Sequence, residues 1–182
     1  MNKLNVIVGN RTERLPFLFS EFERQGITNY QLWDGIFLPS VVTSINAAHK
    51  QIVMDAKEKG LEEVIIAEDD FVGTHENSYK FFLENKPSKY SLYLSMIYLG
   101  EVDENKQTSR FTGLTLYSVH HSFYDTFLCT DANEHLDVAL TNLGKYDVCY
   151  PFAFIQRNGY SSNSRQVENY DCLLNGRDLF LG

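Results

Sequence analysis

The chain has 182 residues, 43% of them apolar and 22% charged, a composition that fits one globular domain needing no disulfide or metal staple. Sixteen Lys and Arg against 24 Asp and Glu leave a net charge of −8, which argues against nucleic acid as a partner, since such binding rests on phosphate contacts. No run of about 18 apolar residues is present to span a membrane as a helix, so no transmembrane segment is expected.

The opening MNKLNVIVGNR has no long apolar stretch and no small-residue cleavage site, so the expected location is the cytoplasm, at most peripheral on the inner membrane face. Charge is uneven along the chain. Residues 1–60 hold 7 basic and 6 acidic side chains, and residues 61–182 hold 9 and 18. The near-neutral first part, with its arginines, suits a small anionic ligand. Cys129, Cys149 and Cys172 form no CxxC pair and are expected to be small buried hydrophobes in a reducing compartment.

The first half reads as alternating strands and helices. Residues 5–8 (NVIV) form a β-branched strand ending at Gly9. A helix is predicted over 12–25 from Leu15, Leu18, Phe19 and Phe22, with Gly26 just past its end. A second strand is predicted over 30–37. The clearest helix runs over 40–59, where Val41, Ile45, Ala48, Ile52 and Ala56 keep helical spacing and Gly60 stops it. Residues 63–67 (EVIIA) read as a buried strand running into Glu68-Asp69-Asp70. Such alternation implies a mostly parallel sheet flanked by helices, an α/β fold.

The second half is less regular. Helices are predicted over 76–84, 123–128 and 134–143, and strands over 90–99, 113–119 and 148–154. Residues 101–109 and the polar tail after Gln156 read as loops.

The acidic triplet carries the chemistry. In an open parallel sheet, ligands bind outside the carboxyl ends of the strands. Three adjacent carboxylates there repel one another unless a cation sits among them, and Mg²⁺ or Mn²⁺ takes such oxygen ligands together with substrate phosphates. The bland alternative is a solvated acidic turn. A phosphatase of the HAD type needs a nucleophilic Asp with an acid two residues later; Asp69 is followed at that spacing by Phe71, so that reading is rejected.

The segment Ala48-His49-Lys50-Gln51-Ile52, then Ala56, Gly60 and Val64 to Asp70, resembles the family 25 glycosyltransferases, the lipooligosaccharide and collagen-type sugar transferases. Further positions are similar in order: Arg11, Glu13, Arg14 and Leu15 after the first strand, Tyr98-Leu99-Gly100, His135-Leu136-Asp137, and Gln156 to Ser161. Two positions depart from the family pattern. Ala48 stands where the family has Ser, and Ser161-Ser162-Asn163 where it usually has Ser-Asp-Ile.

The resemblance implies a GT-A fold in a single domain over 1–182, with a nucleotide- and donor-binding half over 1–100 and an acceptor-side half over 101–182. It implies an inverting, metal-dependent transfer of sugar from a nucleotide-sugar donor, for example a UDP-sugar, to a saccharide or glycolipid hydroxyl in surface polysaccharide or lipooligosaccharide biosynthesis. Asp69 and Asp70 would hold Mn²⁺ or Mg²⁺; Arg11, Arg14, His49, Glu68, Gln156 and Ser161 would bind the donor; Asp137 would be the catalytic base. From its own position, on the apolar side of its helix between Ile45 and Val53, His49 also reads as a core histidine. Tyr160 is a candidate for stacking on a sugar or base. The competing function is a non-catalytic nucleotide- or sugar-binding protein on a transferase scaffold.

Overall fold

The structure is a computed structural model that describes residues 3–161 and 164–182. Strand β1 (Leu4–Val8) leads through a 3₁₀ turn into helix α1 (Leu15–Arg24), whose early Pro16 occupies a position where no N–H is needed. Strand β2 (Tyr30–Asp34) precedes α2 (Val41–Glu58). Ser40 caps α2 by accepting the Thr43 N–H, and Gly60, at φ 63°, takes the left-handed conformation that ends it. Strand β3 (Glu63–Glu68) is followed at once by the short β4 (Phe71–Gly73) and then by α3 (Ser78–Glu84). Beyond these lie β5 (Leu92–Leu94), β6 (Gln107–Thr108), β7 (Leu116–His120), α4 (Tyr124–Leu128), α5 (Leu136–Thr141) and β8 (Tyr146–Val148). The chain continues into β9 (Phe154–Gln156) and a hairpin of β10 (Gly159–Ser161) and β11 (Gln166–Glu168).

The central sheet has seven strands in the order β2-β1-β3-β7-β5-β8-β6. Strands β2, β1 and β3 are parallel, β5 and β8 are parallel, and β7 and β6 run against their neighbours. The expected mostly parallel sheet flanked by helices is therefore present. Alternation along β3 sorts its side chains to two faces. Val64 and Ile66 pack with Ile52, Val53 and Ala56 of α2, whereas Ile65 and Ala67 pack with Leu18, Phe22 and Phe82 of α1 and α3.

Several features differ from the sequence reading. The strand expected over 90–99 pairs only through Leu92–Leu94, because the chain then bends toward Gly100. At φ 97°, Gly100 lies so close to Arg110 that a Cβ would sit 1.8 Å from the Arg110 carbonyl oxygen, a place only glycine can take. The strand expected over 148–154 is two strands either side of Pro151: β8 ends in the central sheet, and β9 pairs with β4 in a separate two-stranded sheet. The tail after Gln156 holds the β10–β11 hairpin, which its polar sequence did not announce. Among the cysteines only Cys149 is buried. Cys129 and Cys172 are exposed, Cys129 just past the end of the short α4 and Cys172 in a surface turn, which corrects the expectation of three buried thiols.

Phe82 joins α3 to the sheet. It is fully buried, stacks on Tyr93 of β5 at 4.7 Å between centroids and meets Phe154 of β9 edge-on. Phe82→Ala is expected to destabilise the protein by about 3–5 kcal/mol, read as a lower midpoint in urea denaturation followed by circular dichroism. A loss well under 1 kcal/mol would mean that α3 is not a structural part of this core.

Candidate functional site

At the carboxyl ends of β1, β2 and β3 lies a cleft of about 620 Å³, a volume ordinary for a small-molecule site. Arg11, His49, Glu68, Asp69, Asp70, Asp137, Gln156 and Ser161 line it, so residues scattered over 151 positions of sequence share one wall. Arg14 sits behind that wall. Ser162 and Asn163, where the sequence departs from the family pattern, lie outside the described residues.

The triplet is divided among three environments. Asp69 accepts one hydrogen bond from Arg14 Nη1 at 2.7 Å and another from the Gly9 N–H at 3.3 Å. Asp70 Oδ2 accepts from the same Arg14 nitrogen at 2.8 Å and from Gln156 Nε2 at 3.1 Å. Both aspartates are buried, at 6% and 5% exposure. Burial raises the Asp70 carboxyl to about 6, with Glu68 pushing the same way and Arg14 and Gln156 opposing. Arg14 is half-buried, which works against its charge, but Asp70 and Asp69 outweigh that and hold the guanidinium above its ordinary value. In this arrangement Arg14 faces the carboxylates and not the open cleft.

Arg14 and Arg11 also reach across to the hairpin. Arg14 Nη2 and Arg11 Nη1 both donate to the Tyr160 carbonyl, at 2.9 and 2.5 Å. Arg11 lies 4.0 Å from Asp69 and lines the cleft, where a guanidinium suits a phosphate. Tyr160 thus contributes its backbone here, and its ring is not among the lining residues.

Glu68, the last residue of β3, projects to the α2 side with its side chain 30% exposed. Its Oε1 lies 3.4 Å from His49 Nε2, and His49 is buried at 2% exposure. Asp137 opens α5. Its Oδ2 accepts the Gly113 N–H at 3.0 Å and its Oδ1 the Val138 N–H at 2.9 Å, and the side chain remains part of the cleft wall.

Several lining residues were given no role from sequence. Tyr98 and Tyr170 stack at 5.3 Å and form part of the wall. Tyr98 lies within the Tyr-Leu-Gly segment and was readable there, whereas no spacing points to Tyr170. Phe37, 67% exposed, and Leu38 form the rim after β2. A large exposed aromatic ring is visible as such only once the chain is folded.

The donors present suit a hard divalent cation. All are carboxylate oxygens, and Asp70 Oδ1 is buried with no hydrogen-bond partner among the described residues. Among the described residues no three His, Cys, Asp or Glu side chains converge to enclose a metal by themselves. A cation here would therefore complete its shell with ligand oxygens, as Mg²⁺ commonly does with phosphates.

No family model and no curated protein matches the sequence. Solved structures do match the fold. One is a Drosophila β-1,4-galactosyltransferase 7 variant in complex with manganese, UDP-Gal and xylobiose, with TM-score 0.52 and 11% identity over 100% of this chain and 83% of that one. HddC from Yersinia pseudotuberculosis matches with TM-score 0.54 and 10% identity over 86% of this chain and 93% of its own. A197 from STIV matches with TM-score 0.50 and 13% identity over 92% and 93%. The chain has the fold of GT-A glycosyltransferases.

The raised Asp70 carboxyl makes stability depend on pH. Because its folded value, about 6, exceeds the ordinary 3.8, the folded chain holds more protons between these limits. Stability from this group is complete below about pH 4, declines as pH rises to about 6 and is level above, a total of about 3 kcal/mol. Asp70→Asn is expected to remove that decline, so its stability relative to the native chain rises from pH 4 to pH 7. Denaturant titrations at both pH values decide this, and parallel pH profiles would refute it.

Proposed function

We propose that this chain is a metal-dependent, inverting sugar transferase of the family 25 type. It would move a sugar from a nucleotide-sugar donor, a UDP-sugar in the first instance, to a hydroxyl of a saccharide or glycolipid in surface polysaccharide or lipooligosaccharide assembly. One observation carries the reading: Arg11, Glu68, Asp69, Asp70 and Asp137 face one cleft at the strand ends of a GT-A fold. The galactosyltransferase of similar fold was solved with manganese and UDP-Gal, which supports the choice of cation and donor.

Asp70, with Asp69, would hold Mn²⁺ or Mg²⁺ against the donor diphosphate. A metal bound there supplies Lewis acidity toward the leaving nucleotide. Arg11 would pair with a phosphate oxygen. Arg14 would act from behind, bonding both aspartates through one guanidinium nitrogen and holding them side by side. Inversion in one displacement needs a base that takes the acceptor hydroxyl's proton, and Asp137 is assigned that role. In this reading 1–100 supplies the triplet and both arginines, while 101–182 supplies Asp137 and the hairpin; Gln156 crosses the division by bonding Asp70. Ser161 would border the donor.

A second reading is binding without turnover. It is favoured by Asp137, both of whose oxygens are already engaged by backbone N–H groups of Gly113 and Val138.

Nucleotide sugars with and without Mn²⁺, compared by thermal shift, test the proposal, because a ligand of the folded state raises its melting temperature. At least one UDP-sugar is expected to stabilise the chain more with Mn²⁺ than without, and Asp70→Asn to lose that gain. If no nucleotide sugar does so, the transferase reading is abandoned. Asp137→Asn is expected to leave donor affinity nearly unchanged and to slow transfer about 10²–10⁴-fold. A native chain that binds donor yet neither transfers nor hydrolyses it would establish the second reading.

A further inference from the structure

Glu68, the most open carboxylate of the triplet, is backed by a row of polar contacts that starts in the core. Tyr117 of β7 is fully buried and pairs in register with Ile66, so its ring lies on the α2 side of the sheet. Its hydroxyl is 2.6 Å from His49 Nδ1, and the two rings stack at 5.8 Å. The opposite nitrogen of His49 faces Glu68 Oε1 at 3.4 Å.

Proton accounting settles the direction of this row. The Tyr117 hydroxyl has one hydrogen, and His49 is its one partner among the described residues. If Nδ1 carried the hydrogen, the phenolic hydrogen would be buried without an acceptor, at a cost of about 1–3 kcal/mol. A bare Nε2 would also turn its lone pair on the Glu68 carboxylate. Both ends agree: Tyr117 O–H donates to Nδ1, and the proton on Nε2 faces the Glu68 carboxylate across 3.4 Å. Burial also keeps the Tyr117 phenol well above its ordinary value, so it remains a donor.

Glu68 differs from its neighbours in what remains free. The Asp69 oxygens are held by Arg14 and Gly9, and Asp70 Oδ2 by Arg14 and Gln156. Glu68 Oε2 has no partner among the described residues, and its side chain borders the cleft. A carboxylate only accepts hydrogen bonds, and it repels phosphate, so the ligand group that suits it is a hydroxyl.

We infer that Tyr117 and His49 are positioning residues: their hydrogen bond turns the Nε2–H of His49 to Glu68 and so holds Glu68 toward the cleft as a fixed acceptor for a hydroxyl of the bound nucleotide sugar. The ligand class rests on the proposed function; the orientation of the Tyr117–His49 pair does not. Two measurements separate them. Nitrogen-15 correlation spectra of the native chain are expected to show His49 as the Nε2–H tautomer, and Tyr117→Phe to shift it toward a mixture. Calorimetry with UDP-galactose and Mn²⁺ is expected to show about five- to tenfold weaker binding by Tyr117→Phe, the scale of one displaced hydrogen bond. Mn²⁺ affinity without nucleotide is expected to stay within about twofold on the same scale.

His49→Gln, which keeps an N–H donor, is expected to retain more UDP-galactose affinity than His49→Leu, and this pair carries the test should Tyr117→Phe not fold. An Nδ1–H tautomer in the native chain overturns the inference. So does a tautomer change with unaltered UDP-galactose binding, or equal losses in the two His49 variants. A drop in Mn²⁺ affinity would assign Glu68 to the metal and overturn the hydroxyl role. If the native chain binds no UDP-galactose, the proposed donor fails, and the tautomer still decides the orientation of the Tyr117–His49 pair.

Discussion

The structure turns on a single guanidinium shared by two buried carboxylates. Arg14 Nη1 lies 2.7 Å from Asp69 and 2.8 Å from Asp70, and all three side chains are at most 13% exposed. Two adjacent anions removed from water are costly, and a positive group with good geometry must offset them. Meeting that need brings distant segments together. The turn before α1 must present Arg14, β9 must present Gln156 to Asp70, and the hairpin must bring the Tyr160 carbonyl to the second guanidinium nitrogen.

Strand alternation explains how neighbours in the triplet acquire different surroundings. Val64, Ile66 and Glu68 share the α2 face of β3, so Glu68 ends beside His49. After Glu68 the chain leaves the central sheet and enters β4, paired with β9. That turn places Asp69 and Asp70 toward Arg14. The Arg157 N–H donates to the Asp70 carbonyl at 2.8 Å, fixing the backbone of the turn as well as its side chain. Three consecutive acids thus form one relatively open acceptor and two held anions.

The same organisation joins stability to function. His49 is buried, as a core histidine would be, and its ring also borders the cleft beside Glu68. Asp70 retains a buried oxygen without a partner among the described residues, an arrangement that costs stability in the chain by itself. Gly100 shows a backbone counterpart. Its close approach to Arg110 shapes the bend after β5 that carries Tyr98 and Leu99 to the cleft.

What the sequence determined by itself was the local grammar of the first half. Ser40, the periodic row from Val41 to Ala56 and Gly60 define α2, and EVIIA before Glu-Asp-Asp defines β3, because these signals act over a few residues. The candidate residues could also be named, since their chemistry is written in residue type and order. Tertiary structure decided what each of them faces. Nothing local announces that Arg14 meets Asp69 and Asp70, 55 and 56 positions away, or that Tyr117 meets His49 across 68. The short strands β6, β9, β10 and β11 were equally illegible, for two or three residues carry too little pattern to define a strand without the partner that pairs with them. Segment pattern sets secondary structure over one or two turns, whereas charge neutralisation and proton donation in the interior are satisfied only by groups that folding brings within 3 Å.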